Sequence, residues 1–392
     1  MIISARKFNY KTHECRHGIQ LSREELIYLF GLFVFFFESI VRITTISINI
    51  PSRACQIIVI VCSAISLLIN GQISRSRILM LIGVSLLIII VSAKIGGLNL
   101  FVLISLIVAA KNISGKRIIG LALIIHSFFL VVCTILSRVG TIPNYCYDEI
   151  RGVRQSLGYL SYNYPSKVCF FCIMYYLYLK SDKLKLIEIV IMIVTSIYYS
   201  MATISRTTLY LTSITILAYI ILERFHKQFF EFNKSKLICY SYIICAILAF
   251  AVQFEYINNP DKLQFLETWS SHRLSITANV ISNYGFSLFG QNIIWSGISY
   301  DAQVGTQYNY VDSSYLLVFL LYGIFFGGVV LLGMTKLLKN AYVKQDYRLI
   351  IILCVLSIRF IMEPQLIDAR FNTFLLLIMP SFNNLRIEKR SG

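Results

Sequence analysis

The sequence predicts an all-α polytopic membrane protein, on three observations. The chain of 392 residues is 57% hydrophobic with only 14% charged residues. Its mean hydropathy is +0.71, well above what a water-soluble domain carries while keeping a polar surface. Its apolar residues also fall into segments near the roughly 20 residues that a hydrocarbon core of about 30 Å demands. Twelve such spans are predicted, at 26–48, 55–70, 78–93, 95–110, 118–136, 166–180, 185–202, 207–222, 237–254, 313–335, 347–364 and 368–382. The run from Ile78 to Ala110 is too long for one crossing, and Lys94-Ile95-Gly96-Gly97 divides it into a hairpin. The final span is crowded at its start by Asp368, Arg370 and Asn372.

Charge sets the orientation. Most of the 36 Lys and Arg fall in alternate short loops, such as Lys180/Lys183/Lys185 and Arg224/Lys227/Lys234/Lys236. Short basic loops stay cytoplasmic, so both termini are expected inside. The net charge of +17 then reads as a topology signal beside an anionic leaflet, and nucleic acid is not needed to explain it. The first 25 residues are too polar for a cleaved signal peptide, so the first span is expected to be an uncleaved anchor.

The ten cysteines fall mostly within spans and read as small core hydrophobes. Cys169 and Cys172 have redox-motif spacing but lie in an apolar helix, which favours packing. The five histidines are scattered without paired ligand spacing, so no metal site is expected. No Gly-rich phosphate loop stands anywhere in the chain.

Two long outer loops hold the chemistry of the chain. The first, 137–165, carries Arg138, Asp148, Glu149, Arg151 and Arg154 with several tyrosines. The second, 255–312, holds both tryptophans, Trp269 and Trp295; its length and aromatic content predict a folded lid. Its rings suit either membrane-interface anchoring or sugar stacking. Within it, 271–284 predicts a short interfacial helix with Leu274, Ala278 and Ile281 on one face. Arginines on this side lack a topological reason. Arg359 and Glu363, four apart, are expected to pair along one helix, near Asp368 and Arg370. Arg206 and Arg273 have no obvious local partner, and their planar guanidinium groups suit a diphosphate.

Arg206 in SRTTL, Arg273 followed by NYGFSLFGQ, and Asp312 with Ser313, nine residues and Gly323 together resemble the Wzy polysaccharide polymerases and, more distantly, the WaaL O-antigen ligases. In the ligases a His stands at the position of Asp312. The resemblance is best from the sixth span to the twelfth. It implies a glycosyltransferase at the outer face of the bacterial cytoplasmic membrane, acting on undecaprenyl-diphosphate-linked oligosaccharides with no nucleotide sugar, cofactor or obligatory metal. Family analogy adds a flippase and a chain-length regulator as partners. Such a reaction needs a cation for the departing diphosphate and a base for the attacking hydroxyl. Arg206 and Arg273 are expected in the first role and Asp312 in the second, with Arg151, Arg154, His272 and Tyr315 as substrate contacts. Asp312 has an alternative reading as the N-cap of the following helix. A transporter or lipid-linked oligosaccharide flippase is the alternative for the whole chain, although no clear internal repeat supports it.

Overall fold

The computed structural model describes residues 21–69, 75–149, 152–181, 183–296 and 309–380. Helices dominate them. In the first half, α1 (Arg23–Val41), α2 (Ser52–Ile69), α3 (Arg75–Ile95), α4 (Asn99–Ala109) and α5 (Gly115–Val139) precede a small hairpin of β1 (Cys146–Glu149) and β2 (Gly152–Gln155). Then come α6 (Asn163–Leu179), α7 (Leu186–Thr203), α8 (Arg206–Glu231) and α9 (Ser241–Asn258), two short helices α10 (Gln264–Trp269) and α11 (Arg273–Tyr284), and finally α12 (Ser314–Tyr322), α13 (Ile324–Val343) and α14 (Tyr347–Arg359).

Local chemistry accounts for many of the boundaries. Ser22 caps α1 by accepting the Glu25 amide at 3.3 Å, with Glu24 and Glu25 at the positive end of the helix dipole. Gly140 closes α5 in the left-handed conformation at φ 84°. Gly96 and Gly97 turn α3 into α4 at φ 79° and 118°.

Among the described residues, six helices are long and apolar enough to cross a membrane: Ser52–Ile69, Gly115–Val139, Leu186–Thr203, Arg206–Glu231, Lys236–Asn258 and Ile324–Val343. Their outward faces are as apolar as the core. Leu68, Leu186 and Met201 are 80%, 77% and 71% exposed, an arrangement suited to lipid rather than water. The chain is therefore an all-α protein of membrane type.

The predicted span 313–335 is broken. α12 has nine residues, about 14 Å at 1.5 Å per residue, and it stops at Gly323, whose φ is 89°. The cause is a long-range packing contact: a Cβ on Gly323 would lie 2.6 Å from the Leu288 carbonyl oxygen and collide with the Gly290 amide. Segment 285–291 is wedged against the break and satisfies both helix ends. Gln291 donates its backbone N–H to the Leu321 carbonyl at 3.0 Å and its side-chain amide to the Leu320 carbonyl at 3.1 Å. The Ser287 and Leu288 carbonyls accept from Ile324 and Phe325. Orphan backbone groups at a helix interruption each cost several kcal/mol in hydrocarbon, and here they are paired.

The expected last span also starts differently. Residues 361–372 are non-helical, a 3-10 turn covers Thr373–Leu377, and helix begins at 378, near the end of the described residues. This polar stretch is buried, so it borrows partners. His126 of α5 approaches the Arg370 carbonyl at 2.6 Å, Tyr175 of α6 donates to the Phe371 carbonyl, and Asn372 donates to the Leu366 carbonyl at 2.7 Å. The helix foreseen at 271–284 is present as α11, but its buried side is Thr277 and Val280. It packs on α9, where Gln253 donates to the Leu274 carbonyl at 3.0 Å.

Replacing Gly323 by Ala should destabilise the protein by about 1–3 kcal/mol, from a left-handed non-glycine residue and a backbone collision. Gly328, around which a Cβ meets nothing within 4 Å, should accept Ala without loss. Thermal unfolding of the two purified variants checks this.

Candidate functional site

The site lies where residues 255–296 and 309–312 meet the bundle, at the end reached by α1, α3, α5 and α7 through their C-termini. Arg273 opens α11 and Asp312 precedes α12; their side chains form an ion pair, Nε to Oδ2, at 3.1 Å. Arg273 also donates to the Met362 carbonyl, fixing α11 to the loop after α14. The N-cap of α12 is Ser313, whose side chain makes no capping hydrogen bond. Asp312 stands one residue ahead of that position, in the ion pair.

Beneath the pair lies a buried charge cluster. Lys167 of α6 reaches Glu363 at 3.1 Å, and Gln365 donates to the same Glu363 oxygen at 2.9 Å. Arg359 does not pair with Glu363 along a helix as expected, because α14 ends at Arg359 and Glu363 lies in the following loop. Its Nε donates instead to Gln365 at 3.4 Å, its guanidinium lies 4.2 Å over the Phe170 ring, and its two terminal nitrogens make no hydrogen bond among the described residues.

Alongside the cluster, a cleft of about 300 Å³ opens between α1, α2 and α4 on one side and α12 with loop 364–370 on the other. Its rim carries two further pairs, Glu38 with Arg42 at 3.8 Å and Asp368 with Arg370 at 2.6 Å. Gln56 donates to Asn99 at 2.9 Å, and Trp295 meets Tyr310 edge-on with ring centroids 5.0 Å apart.

The other predicted residues are dispersed. Arg206 is exposed at the start of α8, presented by a turn in which Ile204 adopts φ 50°, a costly conformation for a β-branched residue. No side-chain contact joins it to Arg273 among the described residues. His272 is exposed, with Nδ1 at 3.3 Å from Glu267, whose carboxylate also accepts the Leu274 and Ser275 amides at the start of α11. Arg154 lies over the Tyr162 ring at 4.6 Å, and Arg151 lies outside the described residues. Tyr315 is fully buried and donates to the Ser357 carbonyl at 2.8 Å, which makes it a packing residue. Lys167 escaped the sequence reading, although a lysine at the start of the predicted apolar span 166–180 was a usable signal.

No known protein family, curated protein or solved structure matches this chain.

Lys167→Met leaves Glu363 buried without its closest cation and should cost about 3–5 kcal/mol, with Glu363→Gln recovering part of the loss in the double variant. Thermal unfolding of the purified single and double variants checks this.

Proposed function

We propose that the chain is a membrane glycosyltransferase with about twelve spans and both termini inside. It would polymerise undecaprenyl-diphosphate-linked oligosaccharide repeat units at the outer face of the bacterial cytoplasmic membrane. The observation that carries this reading is the Arg273–Asp312 pair at 3.1 Å, whose two members are the cation and the base that the resemblance leads one to expect. The adjacent cleft supplies room for substrate.

In this reading an acceptor sugar hydroxyl attacks the anomeric carbon of the donor chain. The bond from that carbon to the diphosphate oxygen breaks, and its electron pair leaves with undecaprenyl diphosphate. The hydroxyl proton passes to the Asp312 carboxylate. Arg273 has five N–H donors in a planar fork, so it can exchange Asp312 for a diphosphate oxygen while keeping its bond to the Met362 carbonyl. In the resting protein the two charges neutralise each other, and an arriving diphosphate competes for the guanidinium and releases the carboxylate to act. Arg206, at the same end of the bundle on an exposed turn, is suited to capture the lipid diphosphate before it reaches Arg273.

Asp312→Asn should reach the membrane at normal levels with polymer reduced by about 10²-fold or more, while single lipid-linked repeat units accumulate on the outer face. Asp312→His should recover part of the activity, and Arg273→Lys little, since a point charge does not reproduce a fork. Near-normal polymer from Asp312→Asn would remove Asp312 as the base. For topology, a membrane-impermeant thiol reagent should label Asn292→Cys in intact cells. It should label Lys234→Cys only after the membrane is opened; labelling of Lys234→Cys in intact cells would reverse the orientation.

A further inference from the structure

The cleft and the charge cluster are neighbours with different electrostatics. Around the cluster, Arg273, Lys167 and Arg359 face Asp312 and Glu363, leaving an excess positive charge. On the cleft, Arg42 and Arg370 are balanced by Glu38 and Asp368 in two pairs. An anion entering the cleft meets no net attraction, whereas the cluster holds one cation more than its carboxylates balance. A diphosphate therefore belongs to the cluster, and the cleft suits something else.

The lining of the cleft indicates what that is. Carboxylates, guanidinium groups and the Gln56 and Asn99 amides offer donors and acceptors in nearly equal supply, which matches hydroxyl groups, each both donor and acceptor. Trp295 and Tyr310 present ring surface beside them, and Leu100, Leu103 and Leu317 form an apolar floor. A volume of about 300 Å³ is at the lower end of small-ligand sites. We propose that this cleft is a binding site for an uncharged saccharide, one sugar unit of a repeat, held by Gln56, Asn99, Glu38 and Asp368 and stacked on the Trp295–Tyr310 pair. The assignment of the sugar to a polymerisation substrate rests on the function proposed above. The cleft chemistry does not.

The protein carries its own reporter. It has two tryptophans; Trp269 is 62% exposed and away from the cleft, so Trp269→Phe leaves Trp295 as the sole fluorophore. The probe is the oligosaccharide released from the host cell's lipid-linked repeat units and stripped of phosphate, added to the full-length Trp269→Phe protein in detergent. A saturable change in Trp295 fluorescence is expected. Its midpoint should not move between low salt and about 0.5 M salt, because a neutral ligand is not screened. Gln56→Ala and Asn99→Ala, both at partly exposed or exposed positions, should each weaken binding at least tenfold. No saturable change would overturn the inference, as would an equal response to inorganic pyrophosphate that fades with salt, since that describes an anion site. The two readings fail separately. Polymer lost in Asp312→Asn with no saccharide response overturns the cleft assignment alone. Saccharide binding with polymer intact in Asp312→Asn upholds the cleft and overturns the catalytic reading.

Discussion

A carboxylate buried inside a membrane-type bundle must be paired, and the pairing of Glu363 organises this end of the molecule. Burying an isolated carboxylate costs several kcal/mol even after the surroundings relax, a large share of a domain's stability. Lys167 on α6 meets the Glu363 charge, while Gln365 bridges it to Arg359. The same short loop receives Ser314 of α12 at the Glu363 carbonyl and Arg273 of α11 at the Met362 carbonyl. Four helices are thereby registered against one non-helical stretch. Asp312 and Arg273 owe their contact to that registration, because each is attached to the loop within two residues of the ion pair.

Under the proposed function, the arrangement would separate two tasks that a transfer between lipid-linked saccharides combines. Departure of a diphosphate needs fixed positive charge in a place poor in water. Recognition of a sugar needs balanced donors, acceptors and ring faces, and excess charge there would attract the wrong group. The charge cluster and the neutral cleft share loop 363–370, with Glu363 on one side and Asp368 and Arg370 on the other. Tyr310 lies within electrostatic reach of both Asp312 and Asp368, so the two regions are contiguous.

Much of the fold was legible in the sequence because hydrophobic segment length is set by the bilayer and not by distant neighbours. Among α1 to α9, the helices α2, α5, α7, α8 and α9 have the length and apolar content of that rule, and the Gly96-Gly97 turn follows from glycine's access to positive φ. Long-range contacts were not legible. Nothing near Gly323 shows that Gly290 will be packed against it, so an apolar run that reads as one span is two helices. Asp312 and Arg273 were readable as residue types on one side of a membrane, while their contact was not. Arg206 shares type and side with Arg273 but is separated from it, and Tyr315 was grouped with Asp312 by sequence proximity although it faces Ser357 in the core. Glu363 was assigned to Arg359 by helical spacing, a rule that lapsed where the helix ended.

The wedge of residues 285–291 against the α12–α13 break has a bearing on how the protein is made. The carbonyls of α12 and the amides of α13 that it satisfies belong to chain synthesised after it, so the partner is present before the interruption it completes. Chains emerge and fold from the N-terminus, so the segment that pairs these backbone groups is already available when α12 and α13 form. A rearranged gene that placed this segment after α13 would deliver the same residues too late, leaving the gap exposed during insertion.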